Sequence, residues 1–158
     1  MSDPRPFPRV EARSLNGERF TVPDELPGTL RLLAVAFRRE QQQLVDSWLG
    51  WMLDLEARTP GLRAFELPVL SLVYSPARRL IDGGMARGVG TDAARERTLT
   101  VYGDVRGVVG ALGLPGTGSI AVVLVDRVGA ILAQEAGGFE PIAAQRIESA
   151  INRARPSA

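Results

Sequence analysis

Residues 29–55, TLRLLAVAFRREQQQLVDSWLGWMLDL, decide the fold. The apolar run Leu32 to Phe37 breaks into Arg38-Arg39-Glu40 and three glutamines, Gln41 to Gln43, and then becomes periodic. A short apolar run followed by a longer periodic one is the pattern of a buried parallel strand feeding a crossover helix. Placed at about 100° per residue, Leu44, Val45, Trp48, Leu49, Trp51, Met52, Leu53 and Leu55 cover more than half the circumference of a helix from Gln41 to Ala57. An arc that wide predicts burial on two sides, by another element of the chain or by a second molecule. In such units ligands sit beyond the carboxyl end of the strand. That puts the candidate site at Phe37 to Gln43.

The 158 residues suit one domain with a core of its own. Hydrophobic content of 45% and charged content of 23% are those of an ordinary globular chain, so one packed core is expected. A net charge of +1 leaves no broad basic field, which argues against nucleic acid or anionic lipid as a partner. All 19 cationic side chains are arginine, for which a coding bias is the plainest reason.

The absences exclude more than the composition does. With no cysteine there is no disulfide, thiolate nucleophile or Fe–S site. With no histidine the commonest general base and zinc ligand are gone. With no lysine there is neither a Schiff base nor a phosphate-loop lysine. Neither metal nor cofactor is expected. Residues 1–9, MSDPRPFPR, lack the apolar core of a signal peptide. No apolar stretch approaches the ~20 residues that span a bilayer. A cytoplasmic location is the resulting expectation.

Along the chain, residues 1–9 read as a flexible proline-rich arm, 10–153 as a single domain and 154–158 as a tail. Val10 to Val22 predicts a hairpin turning at Asn16-Gly17, a two-residue turn signal. Phe65 to Tyr74 predicts the second long strand, with Pro68 placing its start at an edge or outside the ladder. Ser75-Pro76 predicts the start of a helix reaching about Met85, followed by a loose segment through Gly83-Gly84, Gly88 and Gly90. Thr98 to Tyr102 predicts a strand and Val105 to Leu112 a helix. The strands Ile120 to Asp126 and Ala130 to Gln134 come next, with Asp126 capping the turn between them. A final helix over Glu140 to Arg153 would present Ile142, Ile147, Ala150 and Ile151. The order predicts an α/β protein with a mixed sheet.

That order, with its landmarks, resembles the thioredoxin-like superfamily in its peroxiredoxin and thiol-disulfide-reductase branch. SLNGERFTVPDELPG is similar to that branch's lead-in, RLLAVAF to its central strand, and VVLVDRVGAIL with GGFEP to its closing hairpin and last helix. A more distant similarity is to the thioredoxin-like assembly chaperone of mitochondrial ATP synthase, carried by the strand-to-arginine junction, GGMARG and LVDRVGAI. The likeness runs from about Val10 to Asn152. It implies a three-layer α/β/α domain with a mixed central sheet and an N-terminal β-hairpin. Where redox relatives carry their cysteine pair, this chain has Gln41-Gln42-Gln43-Leu44-Val45. Thiol exchange needs a thiolate, so that activity is excluded. The family's cis-proline would fall near Thr117 to Ser119, and Pro115 lies a few residues too early.

Arg38 and Arg39 at a helix start could clamp a carboxylate or phosphate. The competing outcome is a solvated pair closed off by Glu40 or a nearby acid, which is commoner. Gln41, Gln42 and Gln43 could hydrogen-bond a peptide, or simply form a polar first turn. Gly113 to Ser119, GLPGTGS, reads as a loop, because a strand follows where a phosphate motif needs a helix. Arg78, Arg79, Arg87, Arg95 and Arg97 are interleaved with acids and read as a mixed solvated face.

Three classes of function follow. The first is a redox-inert protein that binds an unknown protein or peptide, chaperone-fashion, in a groove between Arg38–Gln43 and Thr117–Ser119. The second is an enzyme or sensor holding a small anion on Arg38 and Arg39, with a carboxylate or Tyr102 as acid or base. The third is a homodimer built on the Trp48/Trp51 face. The first is preferred, with self-association as a side expectation.

Overall fold

The structure is a computed structural model that describes residues 5–71 and 97–154. The expected strand end at Tyr74, the helix from Ser75 to Met85, the glycine segment and the Arg78, Arg79, Arg87 and Arg95 face lie outside the described residues.

The strands are β1 (Val10–Ser14), β2 (Arg19–Val22), β3 (Leu30–Ala36), β4 (Leu62–Leu70), β5 (Leu99–Tyr102), β6 (Ala121–Asp126) and β7 (Ile131–Ala136). A 3-10 turn, Arg39–Gln41, leads into α1 (Gln42–Arg58), and α2 (Val105–Ala111) and α3 (Pro141–Ala154) are the other α-helices among the described residues. The sheet order is β2-β1-β5-β4-β3-β6-β7. β3, β4 and β5 run parallel, and β1, β2, β6 and β7 pair antiparallel to their neighbours. The fold is thioredoxin-like α/β.

All seven residues of β3 are buried, as a strand covered on both faces requires. Its alternation divides the core. Leu30, Leu32, Ala34 and Ala36 meet α1 and α3, while Leu33, Val35 and Phe37 meet Val108 of α2 and the N-terminal Phe7. Arg31 is buried within this strand. Its guanidinium donates to the backbone oxygens of Pro23 at 3.0 Å and Gly28 at 3.2 Å. Burial lowers its pKa, against the opposing pull of Asp126 and Asp24.

On α1 the fully covered stripe is Val45, Trp48, Met52 and Leu55, each contributing about 1.5–3 kcal/mol by burial. Leu44, Leu49 and Trp51 are partly covered and Leu53 faces outward, so the helix is buried on one side rather than two. Trp48 packs edge-to-face on Trp51 and Phe139 at centroid distances of 5.3 and 5.2 Å, and its indole N–H donates to Gly137 O at 2.9 Å. Most of the aromatic surface expected to serve a dimer is thus turned inward.

Four further expectations are corrected. The hairpin loop has three residues, Leu15 to Gly17, because Ser14 N–H pairs with Glu18 O and Gly17, at φ +90, closes the turn. β4 begins at Leu62, and Pro68 lies inside it, opposite Ala36 of β3. β4 bridges Thr98, just before β5, at Glu66 and pairs with β5 at Val69–Leu70 but skips Leu67–Pro68, the gap a missing N–H leaves. Ile142 is 66% exposed, and the covered face of α3 is Ala143, Ala144, Ile147, Ala150 and Ile151. Residues 5–9 are docked rather than a free arm. Phe7 is buried and donates to Gly129 O, while Ile131 donates to Arg5 O.

Candidate functional site

The parallel strands end at Ala36, Leu70 and Tyr102 along one rim of the sheet. A cleft of about 480 Å³ opens there, walled by Phe37, Leu70, Ser71, Val105 and Thr117 and rimmed by Arg38, Arg39 and Glu40. The carboxyl-end rule thus places a hollow where the sequence puts the candidate junction.

The junction is shaped by Gln41. The chain leaves β3 extended at Arg38, with φ −141 and ψ 147, then winds the 3-10 turn that swings Gln41 back beneath the strand end. Gln41 is 4% exposed. Its Oε1 accepts from the backbone N–H of Phe37 at 2.9 Å and of Arg38 at 3.2 Å. Its Nε2 donates to Thr117 O at 2.7 Å. One amide therefore satisfies the N-cap donor of Arg38 and the Phe37 donor just before it, and ties both to the loop before β6. Arg38 adds a second tie, donating from Nε and Nη2 to Thr117 Oγ1 at 3.2 and 2.8 Å. Of the two ways Gln41 could serve, ligand contact or a polar turn, the side chain takes the internal one.

The other candidates separate. Arg39 and Glu40 are exposed on the rim, with no ion pair to each other or to another described residue. Gln42 donates from Nε2 to Asp46 Oδ1 at 2.9 Å and Glu66 Oε1 at 3.1 Å. It faces a small adjoining cavity of about 50 Å³ lined by Ala34, Ala36, Val45, Pro68 and Leu70, with Arg38 and Arg39 at its edge. Gln43 is exposed and Ser119 half-buried, and neither lines either hollow. Tyr102 borders a different hollow, with Glu11, Arg13, Arg19 and Thr100. It is not brought to the arginine pair.

Four contributors were not singled out in the sequence. Leu70, Ser71 and Val105 wall the cleft, and Glu66 accepts from Gln42 and, at 3.3 Å, from Thr98 Oγ1. Only the pairing of β4 between β3 and β5 brings these positions together. A larger hollow of about 750 Å³ lies at the opposite end of β3, beside Pro60, Gly61, Arg127 and Val128. Asp126 there accepts from Val128 N–H at 3.0 Å and Ala130 N–H at 2.9 Å, which makes it a turn cap.

A second charged cluster is structural. Glu56 of α1 accepts from Arg97 and, at 2.7 Å, from Ala64 N–H, with Arg63 3.8 Å away. Burial alone would raise its pKa, but the hydrogen bonds from Arg97 and Ala64 and the charges of Arg97 and Arg63 bring it below the usual value. Among the described residues no group of three or more His, Cys, Asp or Glu side chains could hold a metal. No helix among them is long and apolar enough to cross a membrane. The cis X–Pro bond among them is Val22–Pro23, not one near Thr117 to Ser119.

No family model matches the chain, and no curated protein matches it by sequence. Solved structures do match it in fold. A protein of Aquifex aeolicus VF5 assigned to electron transfer superposes with a TM-score of 0.66 at 17% identity, covering 98% of this chain and 99% of its own. A thiol:disulfide interchange protein from Bacteroides sp. gives 0.63 at 18% identity, covering 98% and 93%. The exposed lipoprotein thioredoxin of Streptococcus pneumoniae gives 0.59 at 11% identity, covering 92% and 99%. The likeness extends through the whole described chain while the sulfur chemistry is absent from the sequence.

Proposed function

We propose that this chain is a redox-inert thioredoxin-like protein that binds a protein or peptide, in a chaperone-type assembly role, at the cleft between Arg38–Gln42 and Thr117. Its place of work would be the cytoplasm. The observation that carries this reading is the Gln41 clasp. At the end of β3, where redox relatives carry a cysteine pair, a buried amide joins the two walls of the cleft. With no thiol in the chain, what the cleft offers is shape, two guanidinium groups and an apolar wall.

The test is capture of partners by the wild-type chain and by Arg39→Ala and Gln42→Glu. The expected result is loss of the captured partner in at least one variant of unchanged melting temperature. Equal capture by all three would move the binding surface elsewhere. A second reading, a sensor of small anions, is favoured by the absence of an acidic partner for Arg39 among the described residues. A thermal-shift screen with nucleotides and organic acids tests it, and silence across the screen would remove it.

A further inference from the structure

We infer that the cleft recognises the free C-terminal carboxylate of a peptide whose last residue is small and aliphatic. This rests on the proposed binding role of the same cleft and names its ligand.

The first observation concerns main-chain pairing. A peptide lying along this junction would need free backbone donors and acceptors. Gln41 already occupies Phe37 N–H, Arg38 N–H and Thr117 O. Recognition there falls to side chains. The second is the arginine pair. Arg38 spends two nitrogens on Thr117 Oγ1, and Arg39 has no acidic partner among the described residues. A guanidinium matches a carboxylate with two parallel N–H···O bonds, and a charged pair of this kind is stronger than a neutral one.

The third is the relation of the two hollows. Arg38, Arg39 and Leu70 line both the 480 Å³ cleft and the 50 Å³ cavity. A carboxylate at the arginines would therefore sit beside a small space walled by Ala34, Ala36, Val45 and Pro68. A C-terminal residue carries its carboxylate and its side chain on one carbon, which is the pairing these two spaces ask for. An Asp or Glu side chain brings its acid on an unbranched methylene, with no side group beside it for the smaller space. A space of that size suits a short side chain better than an aromatic one.

The nearby acids set the orientation. Glu40 stands on the rim of the larger cleft and repels a carboxylate from that side. Glu66 lines the small cavity, and beyond its bonds from Gln42 and Thr98 its carboxylate retains lone pairs for one more donor. The amide N–H of the peptide's last residue is such a donor.

Calorimetry with one peptide ending in valine, as free acid and as amide, tests the proposal on the full chain. The free acid is expected to bind at least tenfold more tightly than the amide. Arg39→Gln should reduce that preference to within about twofold, and Arg39→Lys should restore part of it. Replacing the terminal valine by tryptophan should weaken binding at least tenfold. Backbone amide spectra locate the contact. Equal binding of acid and amide, with shifts at Phe37 to Glu40 and Thr117, would overturn the carboxylate while leaving the cleft as a binding surface. No shift at those residues with either peptide would overturn both.

Discussion

Replacing Gln41 by methionine keeps the length of the side chain and removes all three of its hydrogen bonds. Phe37 N–H lies in a buried setting and would be left without an acceptor, at a cost of about 1–3 kcal/mol. Arg38 N–H and Thr117 O are only partly buried and can turn to water, losing about 0.5–1 kcal/mol each. The total is about 3 kcal/mol, with little added for a cavity because the two side chains fill similar volumes. For a chain of this size that is about 6–12 °C of melting temperature. Urea unfolding followed by far-ultraviolet circular dichroism should show a lower midpoint at unchanged slope. Gln43→Met, at the exposed neighbour, should stay within about 0.5 kcal/mol of wild type. If Gln41→Met were equally mild, the amide would not be what joins β3 to the loop before β6, and the account of the site would fail with it.

Three further outcomes are expected. Against the effect of burial, the hydrogen bonds from Arg97 and Ala64 hold the folded pKa of Glu56 below the ordinary glutamate value, so its contribution is complete above that ordinary value and lost as pH falls through the folded pKa. Glu56→Gln should therefore be destabilised at neutral pH by about 2 kcal/mol, with the gap to wild type closing in acid; a gap unchanged down to acid unfolding would contradict this. Gly61 sits at φ +87, and an added Cβ would lie 2.5 Å from Thr29 Oγ1, so Gly61→Ala should lose about 2 kcal/mol in the same urea assay, and no loss would refute the geometry. Trp48→Phe removes the bond to Gly137 O along with part of the aromatic packing; calorimetric melting should register a loss of about 2 kcal/mol, and an unchanged melt would mean that the indole N–H is solvated.

The layers of this fold were legible because burial on both faces leaves its mark in the chain, as in the unbroken run of β3. The Asn16-Gly17 hairpin was legible because left-handed backbone selects glycine, although the length of its loop was not. Pro68 misled because its cost depends on which neighbour each strand residue faces, and that is a property of the sheet. Ile142 misled because the amphipathic pattern of α3 tolerates an exposed residue in its first turn. The site was half legible. The junction after Phe37 follows from the strand-to-helix order, but three successive glutamines look alike. The phase of the 3-10 turn alone makes Gln41 the buried one. Leu70, Val105 and Glu66 could not be anticipated, because they reach the two hollows from 24 or more positions away along the chain.

The two tryptophans of the chain share one edge-to-face stack with Phe139. Intrinsic tryptophan emission therefore originates at a single seam, where α1 meets the turn leading into α3. A change in that light marks parting of the seam, so the molecule carries its own optical gauge of one interface, without any label.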